Sequence, residues 1–418
     1  MSMPDGTFNL NDVSALFKIK YEKLSENVYN SANVLLGRVK KSYNFTGKRL
    51  SIAIPQSFAG GVGSGSLPKA NRAMYADAQI TSTKMYAVVE VDRETIKASL
   101  SDEGAFVRAT KEVVQKGVES FMRNMSRALF SDGSGKLGTV SAKDQAALPQ
   151  VLTISDFKEA NFEERDLIQA GSGGLVEIDK VDPDNKQITI KDAGISGVSA
   201  TPANVGDILY MQGSKDLDPE GLKSLDKVAT GNNDFLGASI AHLPADKRNK
   251  NYTIEVGRRW KAVQKDAASS AVSTDMLNEV MLKIKKQCGK SPNLIVTSFK
   301  QYEKILNLLE DKKQYTVPTR AGLKSKSGAD ISFTGVEFMS VDGPVGIFPE
   351  RFVEDDRIYL LNDANIHIHH RPDFGWFDDD GTVFLRKHDS DAYEARYGGY
   401  LQVYINPCFH GVIAGLSI

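Results

Sequence analysis

Few residues of this 418-residue chain have types and spacing that could carry out chemistry, and the clearest group is a set of three histidines. His367, His369 and His370 lie in a segment that reads NIHIHH, with the alternation of a β-strand. Because alternate residues of a strand share a face, His367 and His369 could bind one metal ion, helped by the acidic run 378–380. The same residues also suit a strand with polar side chains beside an acidic turn, which is the interpretation that we favour.

Two glycine-rich segments resemble phosphate-binding loops only superficially. Segment 60–65 (GGVGSG) is followed by Leu67, Pro68 and extended sequence, whereas a dinucleotide-binding loop leads directly into a helix. In segment 133–136 (GSGK), Leu137 stands where a P-loop requires a Ser or Thr that binds magnesium. No serine–histidine–aspartate grouping and no carboxylate pair is evident from the spacing. We therefore expect that the protein is not an enzyme and has no cofactor.

Composition excludes several other classes of protein. The formal net charge is −1, which gives no overall basic field for nucleic acid, and no apolar run is long enough to span a membrane. The first twelve residues are polar and acidic, unlike a signal peptide. Cys288 and Cys408 are too few and too isolated for a disulfide framework or a zinc site. We expect a soluble protein that is made in a reducing compartment.

The charge is nevertheless uneven along the chain. Residues 18–49 contain eight basic and two acidic residues, whereas residues 354–394 contain eleven acidic and four basic residues. Such blocks are most often two solvated faces. They could also be complementary surfaces that meet between subunits, or a basic arm that faces a polyanion.

A long hairpin is predicted in the first quarter of the chain. Residues 48–55 (KRLSIAIP) alternate as a strand, and residues 84–92 (KMYAVVEVD) are β-branched and apolar enough to form the returning strand. Between them, segment 57–65 (SFAGGVGSG) is too rich in glycine to hold a packed conformation by itself. Because a two-stranded hairpin is marginal in water, another subunit is expected to cover it. The pattern thus favours assembly over catalysis.

A long amphipathic helix is predicted directly after the hairpin, from Asp102 to Phe130, with Ser101 as its N-cap. Its apolar stripe has a period near 3.6 and consists of Phe106, Val113, Val114, Gly117, Phe121, Met125 and Leu129. A second group of elements is predicted over residues 273–310, as a helix capped by Ser273 or Thr274, a buried strand (LIVT) and a further helix. Short strands separated by turns are predicted over residues 148–213.

In this order the elements resemble the major capsid protein of tailed bacteriophages, whose Johnson fold is shared with herpesvirus capsid floors and encapsulin shells. The resemblance runs from about Leu35 to Ile418 and includes the segments KSPNLIVTSFKQYEKILNLL, FTGVEFMSVDG, RIYLLNDANIHI and YGGYLQVYINPCFHGVIAGLSI. It implies an α+β fold with an N-terminal arm, an extended β-hairpin loop, a long spine helix, and peripheral and axial domains. The short strands of residues 148–213 have no counterpart in the simplest members, so we interpret them as an inserted small β domain.

The expected domain boundaries follow from the resemblance together with the sequence pattern. They are an N-terminal arm (1–46), the extended loop (47–98), the spine helix with the start of the peripheral domain (99–147), the inserted β-rich domain (148–215), the axial domain (216–345), and peripheral-domain strands with the C-terminal segment (346–418). On this basis, the candidate residues for contacts between subunits are Phe58, Arg72, Tyr86, Val88, Val89, Arg108 and Glu112.

The resemblance also implies a function and a set of partners. Copies of the chain would form hexamers and pentamers of an icosahedral shell around double-stranded DNA, which is bound without sequence specificity. Portal, scaffold and decoration proteins would be the other partners, and no membrane would be involved. The protein would be assembled in the bacterial cytoplasm and would reside in the virion. Two alternatives are an encapsulin-type shell that encloses cargo and, less favoured, a metal-binding enzyme centred on residues 367–370.

Overall fold

The computed structural model describes residues 34–42, 49–57, 74–92, 103–194, 200–226, 260–311, 319–324, 330–340, 343–377, 383, 385–386 and 391–418. Over these residues the chain combines α-helices with several β-sheets, as the sequence predicts. The helices are α1 (Val34–Arg38), α2 (Glu103–Leu129), α3 (Thr274–Cys288) and α4 (Phe299–Asp311).

The three longer helices confirm the predictions from sequence. Helix α2 begins and ends one residue inside the predicted limits. At the start of α3, the Ser273 hydroxyl accepts a hydrogen bond from the Met276 backbone N–H, and Gly289 ends the helix in the left-handed conformation that glycine adopts without strain. Helix α4 follows Ser298, whose hydroxyl accepts from the Gln301 backbone N–H.

A central sheet lies beneath the long helix. Strand β19 (Ala392–Ile405) pairs antiparallel with β4 (Thr83–Asp92) on one side and with β17 (Ile366–Trp376) on the other. Beyond β17 lies β1 (Lys40–Ser42), which runs parallel to it, while the short β18 (Leu385–Arg386) pairs with the beginning of β19. Strands from both ends of the chain therefore meet in one sheet.

The predicted pairing of residues 48–55 with residues 84–92 in one hairpin is wrong. Strand β2 (Arg49–Ser57) pairs with β3 (Met74–Thr81) and not with residues 84–92. Residues 84–92 form most of β4, which pairs along its whole length with β19. The physical reason is that every second residue of β4 faces the core, so this strand gains more from a place in a covered sheet than in an isolated two-stranded ribbon.

A closed barrel of six strands follows the long helix. Its strands are β5 (Lys136–Lys143), β6 (Gln150–Ile154), β7 (Leu167–Ala170), β8 (Leu175–Asp182), β9 (Gln187–Asp192) and β10 (Ile208–Met211), in the spatial order β10-β5-β6-β9-β8-β7. Alternate residues point inward, and apolar side chains such as Leu152, Ile178 and Ile190 fill the interior. Strand β5 lies before residue 148, where the inserted domain is predicted to begin, so the barrel starts earlier in the chain than that domain.

The barrel is attached to the rest of the subunit by two connections that run side by side. The Gly221 backbone N–H donates to the Ser131 carbonyl over 3.0 Å, and the Asp216 N–H donates to the Ser134 carbonyl over the same distance. Gly221 also lies so close to the end of α2 that a Cβ there would be 2.4 Å from the Ala128 carbonyl oxygen. The chain thus leaves and re-enters the subunit at one place.

The second sheet has seven strands and carries α3 and α4. Its order is β11 (Val263–Asp266), β20 (Gly411–Ala414), β16 (Ile358–Leu361), β12 (Leu294–Thr297), β15 (Gly343–Pro349), β14 (Asp330–Ser340) and β13 (Thr319–Lys324). Strand β12 lies at its centre and is fully buried, as its sequence LIVT predicts. A core cluster of Ile284, Ile305, Ile347 and Leu360 connects the helices with the sheet.

Candidate assembly surface

The candidate contact residues lie on two elements of the structure, β4 and α2. Phe58 and Arg72 fall outside the described residues. Arg108 and Glu112 belong to the first half of α2, and their part in contacts stays a prediction. Tyr86, Val88 and Val89 lie on β4, and their side chains have distinct environments.

Tyr86 and Val88 belong to the solvent-exposed face of the central sheet. Tyr86 is 57% exposed and Val88 is 50% exposed, so two large apolar side chains on the same face of β4 are accessible to solvent. Their cross-strand neighbours on β19 are Gly398 and Arg396, and one step further Lys84 faces the exposed Tyr400. We call the exposed residues Lys84, Tyr86, Val88, Arg396 and Tyr400 the outer face.

The glycine opposite Tyr86 is required by close packing of the two strands. A Cβ on Gly398 would lie 2.3 Å from the Met85 carbonyl oxygen and 2.8 Å from the Tyr86 Cβ. No side chain therefore fits at residue 398, and the outer face is open between the two tyrosines. The sheet thus presents a shallow surface with aromatic rings on neighbouring strands.

Val89 lies on the opposite face of β4 and is only 4% exposed. It contacts α2 at Gly117, where an added Cβ would be 2.3 Å from the Val89 Cγ2 atom. Val89 is therefore a core residue of the subunit in this structure and is not available for a direct contact with another copy. Of the candidates whose side chains the structure describes, Tyr86 and Val88 remain accessible.

An aromatic cluster supports the outer face from below. Phe121 of α2 has no exposed surface, and its ring centroid lies 5.2 Å from that of Tyr397 in an edge-on arrangement and 5.6 Å from that of Phe374. Trp376 packs edge-on against Tyr397 at 5.2 Å. Contacts of this geometry add to the free energy of burial and favour one orientation of the helix. From Gly117 onward, where the side chains of α2 are described, the predicted apolar stripe therefore holds the helix on the central sheet.

A cleft of about 1340 Å³ adjoins the outer face. It lies between β4, the end of α2 and the barrel, and Tyr86 and Val88 are part of its wall. The exposed Leu217 contributes a further apolar side chain, and the wall carries both acidic residues, such as Asp216, and basic residues, such as Arg165. No sequence pattern marks Leu217, because it lies in an irregular segment.

Ion pairs join the barrel to the long helix at the side of this cleft. The Arg127 guanidinium donates to both carboxylate oxygens of Asp218, over 2.8 and 3.2 Å, and both side chains are buried. One turn earlier, Arg123 donates to Asp166 over 2.6 Å. Burial raises the pKa of Asp166, and Arg123 opposes that effect. Bidentate, charge-assisted bonds of this kind fix orientation as well as distance.

Gln402 connects three parts of the subunit at the base of the β2–β3 ribbon. Its side-chain amide donates to the Thr81 carbonyl over 3.3 Å, and its carbonyl accepts from the Glu220 backbone N–H over 3.1 Å. The end of β3, the strand β19 and the segment that leaves the barrel thus meet at one side chain. Sequence reasoning missed Gln402, which lies among apolar strand residues.

Some charges of the acidic block are paired within the subunit. Glu354 lies 2.7 Å from the Lys223 Nζ and 3.3 Å from the Lys158 Nζ, and it also contacts Arg357. Burial by itself would raise the pKa of Glu354, but these cations outweigh it and lower the pKa to about 2. Arg38 of the basic block pairs with Asp363 of the acidic block at 3.1 Å. The two blocks therefore meet, at least at this pair, inside one chain.

Glu350 is a buried carboxylate that sequence reasoning also missed. Its Oε1 atom accepts a hydrogen bond from the Val34 backbone N–H over 3.0 Å, at the beginning of α1. Burial raises the pKa of Glu350 to about 7, while the backbone N–H groups of Leu35 and Val34 partly oppose the rise. This side chain holds the start of α1 against the second sheet.

The histidine cluster is arranged as part of the core. The ring centroids of His367 and His369 are 6.1 Å apart, and both rings lie near Tyr404, whereas the His370 ring packs at 5.1 Å against Phe374. Burial, reinforced by the neighbouring histidines, lowers the pKa of His369 to about 4. Among the described residues, no group of three or more His, Cys, Asp or Glu side chains could hold a metal ion, and the run 378–380 lies outside them. The described geometry therefore gives the metal-enzyme alternative no support.

Comparison with known proteins gives one matching family model and several similar solved structures. The family model of the SU10 major capsid protein matches residues 69–375. A subunit of the cyanophage A-1(L) capsid covers 92% of this chain and 93% of its own, with 12% identity and a TM-score of 0.51. The holo-SrpI encapsulin complex from Synechococcus elongatus gives 9% identity and a TM-score of 0.43, covering 90% of this chain and 85% of its own.

A chain of the satellite phage P4 procapsid with the size-determination protein Sid gives 7% identity and a TM-score of 0.41, covering 94% of this chain and 90% of its own. No curated protein sequence matches the chain. The cyanophage subunit shows that the fold is that of a phage capsid subunit, as the sequence resemblance indicates. Within the described segments, no helix is both long and apolar enough to cross a membrane.

Proposed function

Because this chain belongs to the SU10 major capsid protein family, a family of bacteriophage shell proteins, we propose that it assembles into hexamers and pentamers of an icosahedral shell around double-stranded DNA. Membership of this family makes it a structural protein of the virion. The observation that best supports assembly through the central sheet is the outer face, where Tyr86 and Val88 are half exposed although the strand beneath them is rigidly backed by α2.

The outer face has the properties of a surface that another copy covers. Exposed aromatic and β-branched side chains on adjacent strands offer apolar area, and Lys84 offers charge, whereas Arg396 is paired with Glu394 of its own strand. Surface charge pairs contribute only about 0–1 kcal/mol each, so apolar burial repeated over many contacts would supply most of the free energy of assembly. We extend the same proposal to Phe58, Arg72, Arg108 and Glu112 as further contacts.

The proposal includes the remaining parts of the particle. Residues 1–46 would serve as the N-terminal arm, 47–98 as the extended loop, 99–147 as the spine helix and start of the peripheral domain, 148–215 as the inserted domain, 216–345 as the axial domain and 346–418 as the remaining peripheral strands. Portal, scaffold and decoration proteins would bind the shell, which would be assembled in the bacterial cytoplasm. No catalytic role is proposed, and the clustered histidines serve packing.

Electron microscopy of the purified protein tests assembly, and two matched substitutions test the surface. The wild-type chain should give closed shells or capsomer rings in negative stain. Val88→Asp should leave the subunit folded but abolish shells, because it places a carboxylate in an apolar contact. Val205→Asp is the control, since Val205 is 59% exposed on the barrel and receives the same change. Normal shells from Val88→Asp would show that the outer face is not a subunit contact.

Two further results would change the proposed function. Wild-type protein that stays monomeric with crowding agent and with a co-expressed scaffold would contradict shell assembly altogether. Nuclease-resistant DNA inside particles from infected cells would favour the phage shell, whereas particles that enclose protein cargo and no DNA would favour the encapsulin alternative. Family membership is the reason why the phage shell is the leading proposal.

A further inference from the structure

The two cysteines of the chain, which are far apart in sequence, are neighbours in the structure. Cys288 is the last residue of α3, and Cys408 lies in the 3-10 turn Pro407–Phe409 between β19 and β20. The Cys408 thiol lies within hydrogen-bonding reach of Cys288, while the Cys288 Sγ donates to the Ile284 carbonyl over 3.2 Å and the Cys408 Sγ donates to the Asn406 Oδ1 over 3.4 Å. The sequence contains no other cysteine, so the fold has brought together its complete set of thiols.

Contacts on both sides fix this arrangement. One and two turns before Cys288, Ile284 and Val280 pack on Gly411, where an added Cβ would lie 2.8 Å from either side chain. Two residues after Cys288, the Lys290 Nζ lies 5.7 Å from the centre of the Phe409 ring. The final turn of α3 and the turn at 407–409 are therefore held against each other by contacts that do not involve sulfur.

The two thiols differ in the properties that control their reactivity. Cys288 is partly exposed, whereas Cys408 is buried. The hydrogen bond from Cys408 is the main reason why the pKa of the Cys288 thiol falls to about 7, although burial opposes it. A large share of Cys288 is then thiolate near neutral pH, and the thiolate is the nucleophile in disulfide exchange.

We propose that Cys288 and Cys408 form a disulfide within one subunit when the protein meets a small-molecule disulfide of the glutathione class. The Cys288 thiolate attacks one sulfur of the small disulfide, which forms a mixed disulfide and releases one small thiolate. The Cys408 thiol then loses its proton and attacks the Cys288 sulfur, which releases the second small thiolate. Two protein thiols are oxidised, one small disulfide is reduced to two thiols, and the two protons pass to the solvent and the released thiolates.

The disulfide would connect α3 to the turn that joins the two sheets. Strand β19 belongs to the central sheet and β20 to the second sheet, so the turn at 407–409 is the short connection between them. A cross-link that closes a long loop stabilises mainly by restricting the unfolded chain. In a reducing cytoplasm the dithiol would persist, and the bond would form after release into an oxidising medium. The bond lies within one chain, so its test does not depend on shell assembly.

Mass spectrometry of the full-length protein tests the proposal directly. The reduced protein is equilibrated with mixtures of reduced and oxidised glutathione, quenched with acid, alkylated and weighed. The oxidised form should be about 2 Da lighter than the reduced form and should take up no alkylating agent. Trypsin should then release peptide 287–290 joined to peptide 397–418. Alkylation of both cysteines at every glutathione ratio, or cysteine links between chains, would overturn the proposal.

Two variants test the order of attack. With Cys408→Ser the mixed disulfide on Cys288 should accumulate, because the second thiol is missing, whereas Cys288→Ser should leave Cys408 unmodified. Oxidation should raise the thermal unfolding midpoint of the wild type and of neither variant. A glutathione adduct on Cys408 in the Cys288→Ser protein would show that Cys288 is not the attacking thiol. The wild-type mass measurement decides the main question even if a variant fails to fold.

Discussion

Gly117 on the long helix and Val89 on β4 approach each other so closely that only a hydrogen atom fits between the helix backbone and the valine. A Cβ at residue 117 would lie 2.3 Å from the Val89 Cγ2 atom, a distance that real Cβ contacts essentially never show. Val89 follows directly after Val88 of the outer face. The helix and the sheet therefore meet at one glycine immediately behind the proposed subunit contact.

Gly117→Ala should destabilise the subunit, although alanine is the better helix former by about 1 kcal/mol. Overpacking of the Val89 contact is expected to cost about 1–3 kcal/mol in the free energy of unfolding, measured in urea. Val89→Ala removes the opposing methyl groups, so the double mutant should show a favourable coupling energy. If Gly117→Ala is more stable than the wild type, the close approach has no energetic importance.

Phe121→Ala should lower the free energy of unfolding by about 3–5 kcal/mol, because the ring is completely buried among Tyr397 and Phe374. Phe299→Ala is the matched control. Phe299 begins α4 and is largely exposed, so the same truncation there should change stability by less than about 0.5 kcal/mol. Equal effects of the two substitutions would show that the aromatic cluster does not hold the helix on the sheet.

Arg127→Ala should cost about 3–5 kcal/mol, since it leaves the buried Asp218 carboxylate without its cation. Arg396→Ala provides the comparison, because Arg396 pairs with Glu394 in the exposed part of β19 and such pairs contribute at most about 1 kcal/mol. Limited proteolysis between residues 131 and 135 would report whether the barrel connection loosens. Resistance equal to that of the wild type would argue against Arg127 as the anchor of the barrel.

The stability of the subunit should depend on pH through Glu350. Its pKa is raised from 4.5 to about 7 in the folded state, so the native protein binds this proton more tightly than the unfolded chain does. The protonated Glu350 side chain contributes its full share of the free energy of unfolding below about pH 4.5. That contribution, up to about 3 kcal/mol, is lost as the pH rises through 7.

Glu350→Gln keeps an acceptor for the Val34 N–H and removes the titration, so this variant should be more stable than the wild type at pH 8. The difference between the two proteins is measured by urea unfolding from pH 4 to pH 8. Glu303→Gln on the exposed side of α4 should show no such difference. His369 has a pKa lowered to about 4, so it destabilises the folded protein as the pH falls below 6.5, which is opposite to the effect of Glu350. Both proteins contain His369, so its effect cancels in the difference between the wild-type and Glu350→Gln stability profiles.

The sequence predicts local structure well where the signal lies within a few residues. The caps of α3 and the buried strand β12 follow from side chains next to the backbone groups that they satisfy or cover. The limits of α2 agree with the prediction within one residue, although its predicted N-cap, Ser101, lies outside the described residues. The prediction of strand pairing fails, because the partner of a strand can lie far away in the sequence. The pattern of β4 is that of a strand with one buried face, but nothing in it names β19, three hundred residues away, as its partner.

The same limit applies to single side chains. Gln402, Leu217 and Glu350 lie among apolar or irregular residues without any motif, and their roles come from elements that the chain reaches much later or much earlier. From their spacing, Cys288 and Cys408 look isolated, but the structure packs the end of α3, which carries Cys288, against the turn that carries Cys408. Side-chain neighbours across a fold cannot be read from separation along the chain.

Strand β3 runs into β4 with only Ser82 between them, so the β2–β3 ribbon is attached directly to the central sheet at its base. At this base, the Gln402 side chain donates a hydrogen bond to the Thr81 carbonyl, and the eight-residue strand β3 extends away from it. At about 3.3 Å per residue, β3 is about 26 Å long, so a rotation of the strand by about 10° about Thr81 would displace its far end by about 5 Å. A small change in the tilt of the central sheet would therefore produce a larger displacement at the far end of the ribbon.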